Sequence, residues 1–180
     1  DFNSQNPSGS SLSEEFWEMK FQVDFQCGNC EMPKSDVAFH FNVRFDENCI
    51  VCNSHEKGNW QQEERKYDMV FRKGHPFEIR FLVNISSFVV LVDGKLYLEF
   101  KHRIPLSRVD TIGISGELDV ISISFQGPIV GIPLIRFIYK TPLLPSFDKQ
   151  KGTLIFSWGV STWPVLDAGK CRAHTDAQGG

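Results

Sequence analysis

The sequence predicts an all-β protein in which short strands form a sandwich or barrel. Three observations support this: runs of alternating apolar and polar side chains recur from about residue 20 to residue 125, turn-forming residues separate the runs, and no segment sustains the three-to-four-residue period of an amphipathic helix. Many short strands at such spacing are typical of two-layered β-proteins, and they disfavour an α/β fold.

The individual strands are predicted from short apolar or alternating runs bounded by turn formers. Asp93-Gly94 lies between two apolar runs and is a strong hairpin signal. The predicted strands comprise residues 20–26, 37–45, 49–53, 77–83, 88–92, 96–100, 111–115 and 118–125, and a further strand is expected within residues 152–158.

The chain of 180 residues has room for one ordinary domain with tails. Residues 1–14 are rich in Ser, Asn, Gly and Pro and are predicted to form a flexible leader. Residues 15–127 carry the strand pattern and are predicted to be the folded domain. Residues 128–180 are interrupted by prolines and are predicted to be a linker and tail; the start of a truncated second domain is an alternative that the sequence leaves open.

Charge and composition argue against several classes of protein. The formal net charge of −3 predicts no basic face for nucleic acid. No apolar run reaches the roughly 18 residues of a membrane span, and no basic region followed by an apolar one predicts a signal peptide. The 5 cysteines are an odd number, which favours a reducing compartment.

One predicted strand divides its side chains between an apolar face and a hydrogen-bonding face. Successive side chains point to opposite sides of a strand, so the apolar residues at odd positions from 39 to 45 share a face that must be buried. The other face presents His40, Asn42 and Arg44, about 6.6 Å apart. These are directional donors and acceptors, whereas a solvated face usually carries Lys, Glu, Thr or Ser. This face is therefore predicted to bind a ligand.

The following segments extend the predicted site. Asn53 ends the next strand, and Trp60 lies in a polar stretch that favours an exposed indole. If residues 63–65 are extended, Glu63 and Arg65 share a face. Together these residues offer fixed donors and acceptors beside a flat aromatic surface.

A carbohydrate suits this set of side chains. Its hydroxyls need directional donors and acceptors, and its aliphatic ring face needs a flat aromatic cover. Galactose has an axial 4-hydroxyl, which leaves its other face apolar and suited to Trp60. Glu63 and Glu64 would point to opposite sides of a strand rather than flank one glycosidic bond, so catalysis is not expected. No metal or other cofactor is expected either.

Three segments carry an ordered set of these residues: His40-Phe41-Asn42-x-Arg44-Phe45, Val51-Cys52-Asn53-Ser54 and Gly58-x-Trp60-x-x-Glu63-Glu64-Arg65. In order and spacing they resemble the signature of galectin carbohydrate-recognition domains. The segment Phe21-Gln22-Val23-Asp24-Phe25 is most similar to the N-terminal domain of tandem-repeat galectins. The resemblance runs from about residue 21 to residue 125. It implies a jelly-roll, concanavalin-like antiparallel β-sandwich that acts as a β-galactoside-binding lectin without catalysis.

The resemblance also implies a role for each matching residue. The histidine, asparagine and arginine of residues 40–44 would hold the 4-hydroxyl and ring oxygen of galactose, and Trp60 would stack on the sugar. Asn53 and Glu63 would contact the 6-hydroxyl. Glu63 and Arg65 would reach the next sugar of lactose or N-acetyllactosamine.

Partners and location are further implications of the resemblance. The expected partners are β-galactoside-containing glycans and glycoproteins. The expected location is cytoplasmic and nuclear, with export to the extracellular space without a signal peptide. Whether the chain forms a homodimer is left open.

The chain departs from the family pattern at two site positions and at its beginning. Galectins usually have Pro in place of Val43 and Gly in place of Gln61. The larger Gln61 side chain adds bulk beside Trp60, so the sequence does not determine the affinity for a sugar. The family's opening strand is absent from residues 1–20. Residues 138–155 partly resemble it, either as the start of a second domain or as a segment that fills the gap from the other end.

Two other binding functions compete with sugar recognition. One is a zinc site, because Cys27, Cys30, Cys49 and Cys52 form two C-x2-C pairs at a zinc-ribbon spacing. Cysteines three positions apart on a strand face opposite sides, however, so ordinary thiols are favoured. The other is a galectin-like sandwich with weak or altered sugar binding that serves as a protein-interaction module.

Overall fold

The computed structural model describes residues 19–126, 136–140 and 150–158, which form two β-sheets. A 3-10 helix spans Leu106–Arg108. Within the described ranges, no helix is long and apolar enough to cross a membrane. The strands are β1 (Lys20–Glu31), β2 (Lys34–Arg44), β3 (Cys49–Glu56), β4 (Asn59–Trp60), β5 (Glu64–Lys66), β6 (Phe77–Val83), β7 (Ser87–Val92), β8 (Lys95–Lys101), β9 (Thr111–Gly116), β10 (Leu118–Gln126), β11 (Arg136–Lys140) and β12 (Gln150–Trp158).

The first sheet places β2 between two antiparallel neighbours. Its strand order is β11-β9-β1-β2-β3-β4, and β5 also pairs with β3. The register sets Asp24 of β1 and Asn53 of β3 on either side of His40. Polar residues from three strands therefore lie side by side on one face of this sheet.

The second sheet has the strand order β10-β12-β6-β7-β8. The turn between β7 and β8 is Asp93-Gly94, and both residues have positive φ, as the favoured two-residue hairpin turn requires. Strand β12 lies between β10 and β6 and runs parallel to both.

Aromatic rings fill the space between the sheets. Phe39 of β2 is fully buried and stacks on Phe88 and Phe100 of the second sheet, with ring centroids 4.9 and 4.8 Å away. Phe156 of β12 stacks on Phe81 of β6 at 5.3 Å. Burying a side chain of this size stabilises the fold by about 1.5–3 kcal/mol. The aromatic face of β2 is thereby fixed toward the core.

The prediction of an all-β sandwich is confirmed, and each strand predicted between residues 20 and 125 forms. The sheets are mixed, however, whereas a purely antiparallel arrangement was expected: β11 is parallel to β9, and β12 is parallel to β10 and β6. Hairpin turns force antiparallel pairing on consecutive strands. β11 and β12 are not joined to their neighbours by hairpins, so they can run in the same direction as those neighbours.

Residues 136–140 and 150–158 belong to the segment that the sequence assigned to a linker and tail. In the structure both stretches are strands, and β12 fills the gap between β10 and β6. Residues 150–155, the end of the segment that partly resembles the family's opening strand, thus enter the second sheet from the C-terminal side. The leader at residues 1–14 lies outside the described residues, and the domain boundaries at residues 15 and 127 stay a prediction.

The burial of β12 predicts a large loss of stability for Phe156→Ala. Phe156 is fully buried between aromatic rings of both sheets, and truncation of a buried Phe costs about 3–5 kcal/mol. Urea denaturation should report this loss. The control Lys151→Ala, at an exposed position of the same strand, should stay within about 0.5 kcal/mol of the parent. Equal stabilities for Phe156→Ala and the parent would contradict the placement of β12 in the core.

Candidate functional site

The polar face of β2 carries the first three predicted site residues. His40 and Asn42 are almost fully buried at 7% and 3% exposure, and Arg44 is half-buried. Phe41 and Val43 between them point into the core and are fully buried. The alternation predicted from the sequence is therefore present in the structure.

Beneath these residues lies a continuous chain of hydrogen bonds. Arg44 Nε donates to Asn42 Oδ1 at 2.8 Å, and Asn42 Nδ2 donates to Gln22 Oε1 at 3.3 Å. Gln22 Nε2 donates to Asp24 Oδ2 at 2.9 Å, while Asp24 Oδ1 lies 2.5 Å from His40 Nδ1. Strand β1 thus supports the polar face of β2 with two side chains of its own.

Asn53 is held by protein groups on three sides. Its Nδ2 donates to the Gln61 carbonyl at 2.9 Å, and its Oδ1 accepts from the Ser54 amide at 2.8 Å and from Arg103 Nη1 at 3.1 Å. Arg103 also donates to the Gln62 carbonyl at 2.7 Å. Asn53 therefore anchors the segment that follows Trp60 as well as lining the groove.

Trp60 forms an aromatic rim beside His40. The indole is 45% exposed, and its centroid lies 4.8 Å from the ring of His40 and 5.1 Å from that of His55. The Lys34 ammonium lies 4.6 Å from the indole centroid. The exposure of Trp60 leaves a flat apolar surface at the edge of the polar face.

A chain of ion pairs closes the opposite end of the site. Glu47 accepts from Arg44 Nη1 at 2.8 Å and from Arg65 Nη1 at 2.6 Å, and Arg65 Nε donates to Glu63 at 2.8 Å. The hydrogen bonds from Arg44 and Arg65 hold the pKa of Glu47 below its ordinary value of 4.5. Hydrogen bonds from Glu47 and Glu63 raise the pKa of Arg65. Each pair is exposed and weak by itself, but together they restrain both arginines.

These side chains converge on one open groove of about 350 Å³. Six of the seven predicted site residues line it, whereas Arg65 contacts it through Glu63. The groove combines neutral and charged donors, carboxylate acceptors and an exposed indole. This composition suits an uncharged ligand rich in hydroxyls that has one apolar face. The lining residues are Lys20, Gln22, Lys34, His40, Asn42, Arg44, Asn53, Trp60, Gln61 and Glu63.

Several participating residues were not predicted from the sequence. Gln22 and Asp24 alternate with buried apolar residues in β1, so the rule that identified the face of β2 could have found them. Glu47, Arg103 and Lys34 gave no such signal. Their contacts join residues far apart in the chain or follow from the course of a loop.

The two departures from the family pattern occupy different surroundings. Val43 is fully buried in the core and does not line the groove. Gln61 is exposed at the groove, and its backbone accepts from Asn53 and donates to the Ser54 carbonyl at 2.9 Å. Of the two, only Gln61 can touch a ligand directly.

The strand geometry disfavours a single zinc site for the two cysteine pairs. In the strand register, Cys27 of β1 lies opposite Asp36 near the start of β2, whereas Cys49 of β3 lies opposite Arg44 at the end of β2. Eight positions along a strand correspond to about 26 Å, so the two pairs cannot share one tetrahedral ion. Burial raises the pKa of the Cys27 and Cys52 thiols to about 12. The expectation of ordinary thiols is wrong for Cys30, which is disulfide-bonded.

A β-sandwich with this polar groove and aromatic rim defines a lectin domain. The model of the galactoside-binding lectin family matches residues 15–125, more than half of the chain, and the chain belongs to that family.

Several relatives share this similarity. Rat (Rattus norvegicus) galectin-8 is 49% identical over 108 residues, which are 59% of this chain and 34% of the relative. Bovine (Bos taurus) galectin-4 is 48% identical over 109 residues, 60% of this chain and 32% of the relative. The 32 kDa beta-galactoside-binding lectin of Caenorhabditis elegans is 31% identical over 148 residues, 82% of this chain and 50% of the relative. The chain thus spans between about a third and a half of the length of these relatives.

Glu47 accepts hydrogen bonds from both Arg44 and Arg65, which predicts a measurable pH dependence of stability. Its carboxyl should titrate below 4.5 in carbon-13 NMR, because Arg44 and Arg65 stabilise the ionised form. A depressed pKa in the folded state contributes stability above the unfolded-state value, and this contribution is lost as the pH falls through the lower folded value. Arg65→Met should move the pKa of Glu47 upward. An unchanged titration in that variant would contradict the ion-pair chain.

Proposed function

We propose that this chain binds β-galactosides of the lactose or N-acetyllactosamine type and catalyses no reaction. The observation that carries the proposal is the groove in which the polar face of β2 meets the half-exposed indole of Trp60, 4.8 Å from His40. Membership of the galactoside-binding lectin family supports the same ligand class. The Caenorhabditis elegans relative carries this ligand in its name.

The groove favours galactose over glucose for a stereochemical reason. An axial 4-hydroxyl can meet His40, Asn42 and Arg44 while the opposite face of the ring covers Trp60. In glucose the 4-hydroxyl is equatorial, so a ring stacked on Trp60 directs it away from these groups. The polar groups would then lose water without gaining a partner, which costs about 1–3 kcal/mol for each buried group.

The ion-pair chain is positioned to contact a second sugar. Glu63 lines the groove and is held by Arg65 Nε at 2.8 Å and by Arg44 Nη2 at 3.9 Å. Because both arginines restrain it, its oxygens are presented in fixed directions. We assign the glucose or N-acetylglucosamine unit of the disaccharide to Glu63 and Arg65.

The carboxylates near the groove are arranged for binding and not for hydrolysis. A glycosidase needs one carboxyl with a raised pKa and a second on the other side of the bond. Glu63 is paired with Arg65, and Glu64 is paired with Arg103 at 2.6 Å. Each carboxylate already accepts from an arginine, an arrangement that suits an acceptor of hydroxyl hydrogens better than a general acid.

The proposed partners are glycans and glycoproteins that carry terminal β-galactosides. A cytoplasmic and nuclear location, with export that bypasses the signal-peptide route, is proposed from the family resemblance alone.

Lactose titration followed by calorimetry and Trp fluorescence tests the proposal. Lactose should bind to a single site, and cellobiose, which ends in glucose, should not bind measurably. Arg44→Ala and Trp60→Ala should each weaken lactose binding at least tenfold, because each removes a group that contacts the sugar directly.

The matched control is Arg80→Ala. Arg80 lies on β6 in the other sheet and pairs with Glu78 at 3.6 Å, so its loss should leave the affinity unchanged. Lactose binding that survives both Arg44→Ala and Trp60→Ala would place the sugar elsewhere.

A further inference from the structure

The hydrogen-bond chain beneath the groove has a direction that its two ends determine. At one end Arg44 has only donors, so the atom of Asn42 that faces it must be the carbonyl oxygen. The amide nitrogen of Asn42 then faces Gln22, which must accept through Oε1 and donate through Nε2. Each amide orientation therefore follows from the one before it.

The other end of the chain is the carboxylate of Asp24. Gln22 Nε2 donates to one oxygen, and His40 Nδ1 lies 2.5 Å from the other. An ionised carboxylate has only acceptors, so the proton of this contact belongs to Nδ1. The pair is well shielded from water, since the side chains of His40 and Asp24 are 9% and 8% exposed.

A proton fixed on Nδ1 decides what the rest of the imidazole can do. In a neutral ring the second nitrogen is then an acceptor. Nε2 of His40 has no hydrogen-bond partner among the described residues, and His40 lines the groove. The imidazole therefore offers a ligand an acceptor, while Asn42 and Arg44 beside it offer donors.

We propose that Asp24 and Gln22 are positioning residues, which hold His40 as an acceptor and Asn42 as a donor and so select a hydroxyl that donates and accepts at once. The inference rests on the proposed galactoside binding and names what makes the site specific for the 4-hydroxyl. Neither residue contacts the sugar in this scheme. Asp24 acts through the tautomer of His40, and Gln22 acts through the orientation of Asn42.

Nitrogen-15 NMR of the unliganded protein tests the tautomer without any sugar. Two-bond correlations should show that the neutral His40 ring carries its proton on Nδ1 and not on Nε2. A ring protonated on Nε2, or on both nitrogens, would overturn the proposal even if lactose binds. Because no sugar is present, this measurement tests the tautomer of His40 separately from the proposed galactoside binding.

The second test pairs Asp24→Leu with a ligand that lacks the donated hydrogen. Methyl β-lactoside should bind the variant at least tenfold more weakly than the parent, because His40 loses its fixed tautomer. The 4-deoxy-4-fluoro analogue of the galactose unit has no hydrogen to give to Nε2, so the same substitution should change its affinity less than threefold. Equal losses of affinity for the two ligands would show that Asp24 has only a structural role, and would contradict the proposal.

Two further variants guard against a fold defect. Asp24→Asn keeps one acceptor oxygen for His40 Nδ1 but presents a donor to Gln22 Nε2, so it should retain the parent tautomer and only part of the affinity, though more than Asp24→Leu. Asp119→Leu, an equivalent change at an exposed position of β10 in the other sheet, should leave binding intact. If Asp24→Asn kept the parent tautomer but lost as much affinity as Asp24→Leu, the tautomer of His40 would not be the cause of the loss.

Discussion

The burial of one aromatic strand face organises the whole molecule. Phe39, Phe41 and Val43 of β2 are fully enclosed between the sheets, and their alternation leaves the intervening polar residues only the outer side of the first sheet. A register shift of one residue would exchange the two faces and move the aromatic rings into water. The binding face is therefore specified by the same packing that stabilises the core.

A polar face this deeply buried is stable only when its groups find partners. Unpaired donors and acceptors cost free energy in a shielded position, and hydrogen-bond networks gain from being complete. The structure meets this demand with side chains of β1 on one side of β2 and with Arg103 on the other. Rigidity of the groove thus comes from residues that need not touch a ligand, which reduces the ordering that binding requires.

Local patterns account for most of the fold and of the site. The period-two alternation located the strands of residues 20–125 and identified His40, Asn42 and Arg44, because both depend on neighbours in sequence. Contacts such as Arg103 with Asn53, 50 positions apart, leave no periodic trace. The parallel course of β11 and β12 was equally inaccessible. It depends on which sheet edge remains vacant after the other strands have paired. The prolines of this segment indicate a linker as readily as they permit two strands, so the local sequence does not distinguish the two.

The central place of β12 in the second sheet affects the order in which the domain is made. The edge of β6 is synthesised about seventy residues before β12, its partner on that side. At roughly 5–20 residues per second on the ribosome, that edge waits for several seconds with unpaired backbone groups. The groove-bearing strands β1 to β5 emerge first, yet the sheet that buries their aromatic side is completed last. Nascent chains whose synthesis has not yet passed residue 158 are therefore the species in which the aromatic core is exposed and needs protection.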